Sequence, residues 1–163
     1  MAPIAGRQKD RPMAYQVSWI VQHRVLYVRE SGRVTLDDIR ESTKLIADYM
    51  DDAYANSAAL VIGIIDLRES KFALSLRTLA NGVQNIASVV DPRHWKAKPG
   101  FVVLVTTGES AKYITSLVIG LSKQPMTTVA TIEEALMVVR YMYPELQTFL
   151  DEYIDQFAAG TPH

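Results

Sequence analysis

Two almost uninterrupted apolar runs, "AALVIGIID" at residues 58–66 and "FVVLVTT" at residues 101–107, constrain the fold more than any other feature of the chain. Neither alternates between apolar and polar side chains, so both faces of each segment must be covered. That is the pattern of central strands in a parallel sheet flanked by helices. At 163 residues the chain has the length of one ordinary domain with one sizeable core. The runs are too short to cross a bilayer.

The segments around these strands supply the rest of an α/β architecture. "AYQVSWIVQHRVLYVRE" alternates on both sides of "QHR" and is predicted to be a β-hairpin, with "SGR" closing its second strand. Thr35 and Asp38 have capping-box spacing ahead of a helix to about Asp52, whose stripe is Leu36, Ile39, Ile46 and Met50. Leu76, Leu79, Ala80, Val83, Ile86, Ala87 and Val90 follow helical spacing, as do Ile114, Leu117, Val118 and Leu121. "MTTVAT" is a short strand, and Thr131 with Glu134 repeats the capping box ahead of a helix to about Met142.

Pro144 suits the first turn of a further helix, in which Leu146, Phe149, Leu150, Tyr153, Ile154 and Phe157 share a face. The predicted order is β-β-α-β-α-β-α-β-α with an extra C-terminal amphipathic helix, and a mixed, mostly parallel sheet. Residues 1–13 read as a flexible arm, 14–143 as the domain proper, and 144–157 as the added helix. That helix has two destinations: its own domain, or a homodimer contact through Phe149, Tyr153 and Phe157.

Composition excludes several function classes. A formal net charge of −1 creates no field favouring nucleic acid, and the short basic loop "PRHWKAK" does not change that. Cysteine is absent, which removes disulfides and thiolate chemistry and fits a reducing cytoplasm. His23, His94 and His163 have no metal-ligand spacing, and Asp37–Asp38 and Asp51–Asp52 are helix-end pairs. No dinucleotide fingerprint, phosphate loop or nucleophile elbow is present, so neither an enzymatic activity nor a cofactor is expected.

The stretches "RVLYVRESGRVTLDDIRESTKLI" and "ALVIGIIDLRES" resemble the STAS-domain family, which includes SpoIIAA-like proteins and anti-sigma-factor antagonists. The likeness extends over roughly residues 13–143. It implies a regulatory module that binds a partner protein. It also implies that Ser75, about nine residues after Asp66–Leu67, occupies the position of the antagonists' phospho-acceptor serine. Leu74 and Leu76–Arg77 depart from the small and acidic residues usual there, and Ser75 has the simpler role of helix cap as its alternative.

Apart from the resemblance, open parallel sheets bind ligands beyond the C-terminal ends of their strands. Asp66, Arg68, Glu69 and Ser70, expected in the loop after one central strand, and Thr106, Thr107 and Gly108 after the other, are therefore the candidate rim for a partner. The second function this placement allows is a small apolar or lipid ligand held in a pocket between the two loops.

Overall fold

The computed structural model describes residues 15–58, 60–72, 77, 81, 98–108 and 125–158. Strands β1 (Tyr15–Val21) and β2 (Val25–Val34) form the predicted antiparallel hairpin. Its turn places His23 at φ +60°, and the Arg24 amide donates to the Val21 carbonyl at 2.9 Å. Strands β3 (Leu60–Phe72), β4 (Lys98–Val105) and β5 (Met126–Val129) then add in parallel, giving the sheet order β1-β2-β3-β4-β5.

Helix α1 (Leu36–Ala55) returns the chain from β2 to β3. Its N-terminus is closed by the full capping box: the Asp38 amide donates to the Thr35 hydroxyl, and the Asp38 carboxylate accepts from the Thr35 amide. Its C-terminus is a Schellman motif, in which Ala58 N–H reaches the Ala53 carbonyl and Ser57 N–H the Tyr54 carbonyl. Ser57 takes the left-handed position, φ +66°, that glycine usually fills.

Alternation along the strands divides the core into two layers. Val17, Leu26, Val28 and Val61 face α1 and pack with Met50 and Ala53. Val21, Val25, Ile62, Ile64, Val103 and Val105 face the opposite side, under α2 (Ile132–Met142) and α3 (Gln147–Ala158). Thr131 caps α2 through the Glu134 amide, but the Glu134 carboxylate reaches back one residue further than a capping box requires, to the Ala130 amide at 2.8 Å. All six strand residues expected to be buried (Val61, Ile62, Ile64, Val102, Val103 and Leu104) are so.

Three expectations are corrected. Strand β2 does not close at "SGR": Ser31, Gly32, Arg33 and Val34 continue it, paired with Glu69, Ser70, Lys71 and Phe72. Strand β3 correspondingly does not end at Asp66 but runs on to Phe72. The C-terminal helix begins as a 3-10 turn at Pro144–Leu146, and its stripe is narrower than predicted. Leu146 and Leu150 are buried and Tyr153 and Ile154 pack on the core, whereas Phe149 points outward, 54% exposed.

Candidate functional site

The residues of the expected rim are distributed between a knot on the sheet and a short exposed turn. Asp66 lies at the last position where β3 pairs with both neighbours, opposite Arg29 on one side and Val105 on the other. Period-two alternation from Ile62 and Ile64 carries its side chain to the α2 face. There it is 3% exposed. Oδ1 accepts from the Arg68 backbone amide at 3.1 Å and from Arg68 Nε at 2.9 Å. Oδ2 accepts from the other arm of the Arg68 guanidinium at 2.8 Å and from the Tyr27 hydroxyl at 2.9 Å.

This knot explains why the strand continues past a polar residue. The Asp66 carboxylate bonding its own backbone two residues on is an Asx-type contact, which favours a local bend. Leu67 and Arg68 together face the single residue Glu30, a bulge in the β2–β3 ladder. Beyond it the two strands re-pair, and Arg29 donates to Glu69 across them at 2.7 Å. The Ser70 hydroxyl donates to the Glu30 carbonyl at 2.9 Å.

The electrostatics follow from these contacts. Burial by itself would raise the Asp66 carboxyl, but the hydrogen bonds from the Arg68 side chain, the Arg68 amide and Tyr27 outweigh it and hold the group below the usual carboxylate range. Burial, reinforced by the Asp66 charge, pushes the Tyr27 phenol well above its ordinary value. A carboxylate with four donors on it is a poor proton acceptor, and a phenol beside an anion is a poor acid. The cluster fixes the bulge between β2 and β3 rather than presenting a reactive group.

The second half of the expected rim is built differently. The Thr106 amide donates to the Val129 carbonyl at 3.0 Å, and its side chain is buried with a hydroxyl that has no hydrogen-bond partner among the described residues. Thr107 and Gly108 are exposed, Gly108 at φ +97°. Register puts Thr106 one step beyond the Asp66–Val105 pair, so the two halves are neighbours on the sheet. Ser75, His94 and Trp95, the side chain of Phe157 and the arm 1–13 lie outside the described residues. Arg77 and Asn81 are helical, in keeping with the predicted periodicity there.

Two concavities among the described residues lie elsewhere. One, of about 410 Å³, runs between the hairpin turn and α3 and is lined by Ile20, Val21, Leu146, Phe149 and Tyr153, with the Arg24–Glu145 pair at its mouth. The other, of about 450 Å³, is a shallow apolar depression between α2 and the sheet, formed by Phe101, Thr127, Met137, Val138, Tyr141 and Met142. No group of three or more metal-ligating side chains occurs among the described residues, and no helix among them is long and apolar enough to cross a membrane.

Among solved structures, the chain is similar to an uncharacterized protein of the DUF3478 family with a SpoIIAA-like fold, from Shewanella loihica PV-4. Identity is 18% and the TM-score 0.50, over 76% of this chain and 90% of that one. The fold is SpoIIAA-like. No family model and no curated protein matches the chain.

Within this SpoIIAA-like sheet, Tyr27, Arg29 and Glu30 are the residues that the motif reading passed over. Their signal was present in β2: Val25, Tyr27 and Arg29 share one face, so a phenol and a guanidinium were due to reach Asp66 and Glu69 on the adjacent strand.

Proposed function

We propose that this chain is a non-enzymatic regulatory interaction module that binds a partner protein through the surface between α2 and β5. The observation that carries this reading is the exposure of Met137 (65%), Tyr141 (87%) and Met142 (45%) around the uncharged depression over Phe101 and Thr127. Methionine gives adaptable and tyrosine large, amphipathic contact area, which suits protein recognition. The depression adjoins β5, the edge of the sheet, whose sequence Met-Thr-Thr-Val carries no charge to repel another strand.

The partner this surface fits is an extended, uncharged segment of another protein that adds a strand to β5. Alternate side chains of such a segment would fall over Thr127 into the depression. The exposed Thr107 and Gly108 are the part of the C-terminal rim open to the same partner. The complete lack of cysteine accords with a cytoplasmic setting.

Affinity capture from the source cell with wild-type protein and with a Met137→Glu/Tyr141→Glu variant tests the proposal. A protein retained by the wild type and released by the variant supports it, and equal retention contradicts it. The groove of about 410 Å³ beside Phe149 favours a second reading, a small apolar ligand. A native mass spectrum carrying a constant bound mass would support that reading instead.

A further inference from the structure

Glu30 is a carboxyl enclosed between the sheet and a helix. It stands on β2 opposite the Leu67–Arg68 bulge, on the α1 side, and is 9% exposed. Its side chain meets Ser42 in the second turn of α1, itself 2% exposed. The Ser42 hydroxyl donates to the Ile39 carbonyl at 3.0 Å. A serine has only one proton to give. With Glu30 protonated, the carboxyl O–H donates to Ser42 and Ser42 keeps its bond to Ile39. With Glu30 ionised, Ser42 must turn that proton away from Ile39 to serve the carboxylate.

The groups facing Glu30 add to this conflict. From α1, Asp38 is the nearby charge, and its carboxylate is committed to the Thr35 amide and hydroxyl of the capping box at 2.8 and 2.6 Å. From β1, Tyr15 is paired opposite Glu30, with its hydroxyl donating to Glu41 at 3.2 Å. From β3, Ser70 serves only the Glu30 main-chain carbonyl.

We propose that Glu30 is a proton-operated latch on α1: protonated, it seats the first two turns on the sheet through Ser42 as a neutral group, and ionised, it places an enclosed negative charge beneath those turns, on the same side as Asp38, and loosens them. Burial raises the carboxyl to about 7, with the Ser42 bond opposing and the Asp38 charge assisting. A free chain would release the same proton at about 4.3. The folded helix therefore holds a proton that the unfolded one gives up, and the stabilisation is full at acid pH and lost as pH rises through that window. The α1 surface would accordingly change its order close to neutrality.

Hydrogen exchange on the full chain between pH 5 and 8.5, corrected for intrinsic rates, tests the latch. In the wild type, the opening constants of amides 36–43 should rise by up to about tenfold per pH unit until pH 7 and then level off, while those of α2 stay constant. The contact of His23 with Asp52, at 3.1 Å, lies at the far end of α1 and does not report on these amides. Glu30→Gln, which keeps a donor for Ser42 but cannot ionise, should remove the dependence. A carbon-13 titration of the Glu30 carboxyl in wild-type protein gives a reading independent of any variant, with a midpoint near 7 expected. A midpoint in the ordinary range of about 4–4.5 would overturn the proposal. So would pH-independent opening of residues 36–43, or parallel opening of α1 and α2.

Discussion

Arg68 grips the Asp66 carboxylate with both arms of its guanidinium, at 2.9 and 2.8 Å, and with its own backbone amide at 3.1 Å. The carboxylate is buried while the arginine is about one-third exposed, so the pair neutralises the charge inside and spends the remaining arginine surface on solvent. Tyr27 supplies the fourth donor. Removing the acceptor therefore strands several donors at once.

Asp66→Asn should destabilise the protein by roughly 2–3 kcal/mol, because Arg68 is left without its anion and one buried position turns from acceptor to donor. Urea unfolding at neutral pH measures this. The wild-type advantage should shrink as pH falls below the ordinary carboxylate range, since the folded-state carboxyl is held lower than the unfolded one. Variant and wild type should converge in strong acid.

Ser57→Gly should stabilise the fold. Ser57 occupies the left-handed position of the α1 Schellman motif, where a side chain carries a cost of about 1 kcal/mol and glycine none. The gain, partly offset by glycine's greater freedom in the unfolded chain, should be about 0.5 kcal/mol and visible as a higher melting temperature. A loss of stability would mean that the hydroxyl matters more than the backbone.

Leu150→Ala should cost about 2–5 kcal/mol, and Phe149→Ala much less. The two are adjacent in sequence, but Leu150 is wholly buried under the second core layer and Phe149 is exposed. Thermal unfolding of both variants separates packing on the domain from an outward contact. Equal losses would place α3 in a different orientation.

The contrast between these neighbours shows where sequence patterning stops being informative. The central strands were legible because successive residues, Val61 and Ile62 in β3 and Val103 and Leu104 in β4, must be covered on opposite faces, and only a mid-sheet position does that. The capping box at Thr35 and Asp38 was legible because its chemistry is local. The continuation of β3 was not. "DLRESK" has the composition of a loop, yet beyond Asp66 the ladder is only the β2–β3 pair, and Arg68, Glu69 and Lys71 are solvated. Polarity there says nothing about backbone pairing. In α3, helical periodicity grouped Phe149 with Leu150, and only the packing of β1 and α2 around the helix decides which of them is covered.

The candidate site divides along the same line. Asp66, Arg68 and Thr106 were picked out as polar residues beyond strand ends; Thr106 does follow β4, whereas Asp66 and Arg68 lie within β3. Their roles depend on Tyr27 and the bulge, which lie far away in sequence. The exposed methionines of α2 carried no signal of their own, since exposure is a property of what fails to cover them.

The most direct test of the proposed partner-binding function is a hydrogen-exchange footprint of the purified protein with the partner recovered by capture. The account predicts protection of the β5 amides 126–129 and of the last turns of α2, residues 137–142, and loss of that protection in Met137→Glu/Tyr141→Glu protein that is otherwise folded. Protection confined to α1 or to the hairpin turn, with β5 and α2 unchanged, would contradict it.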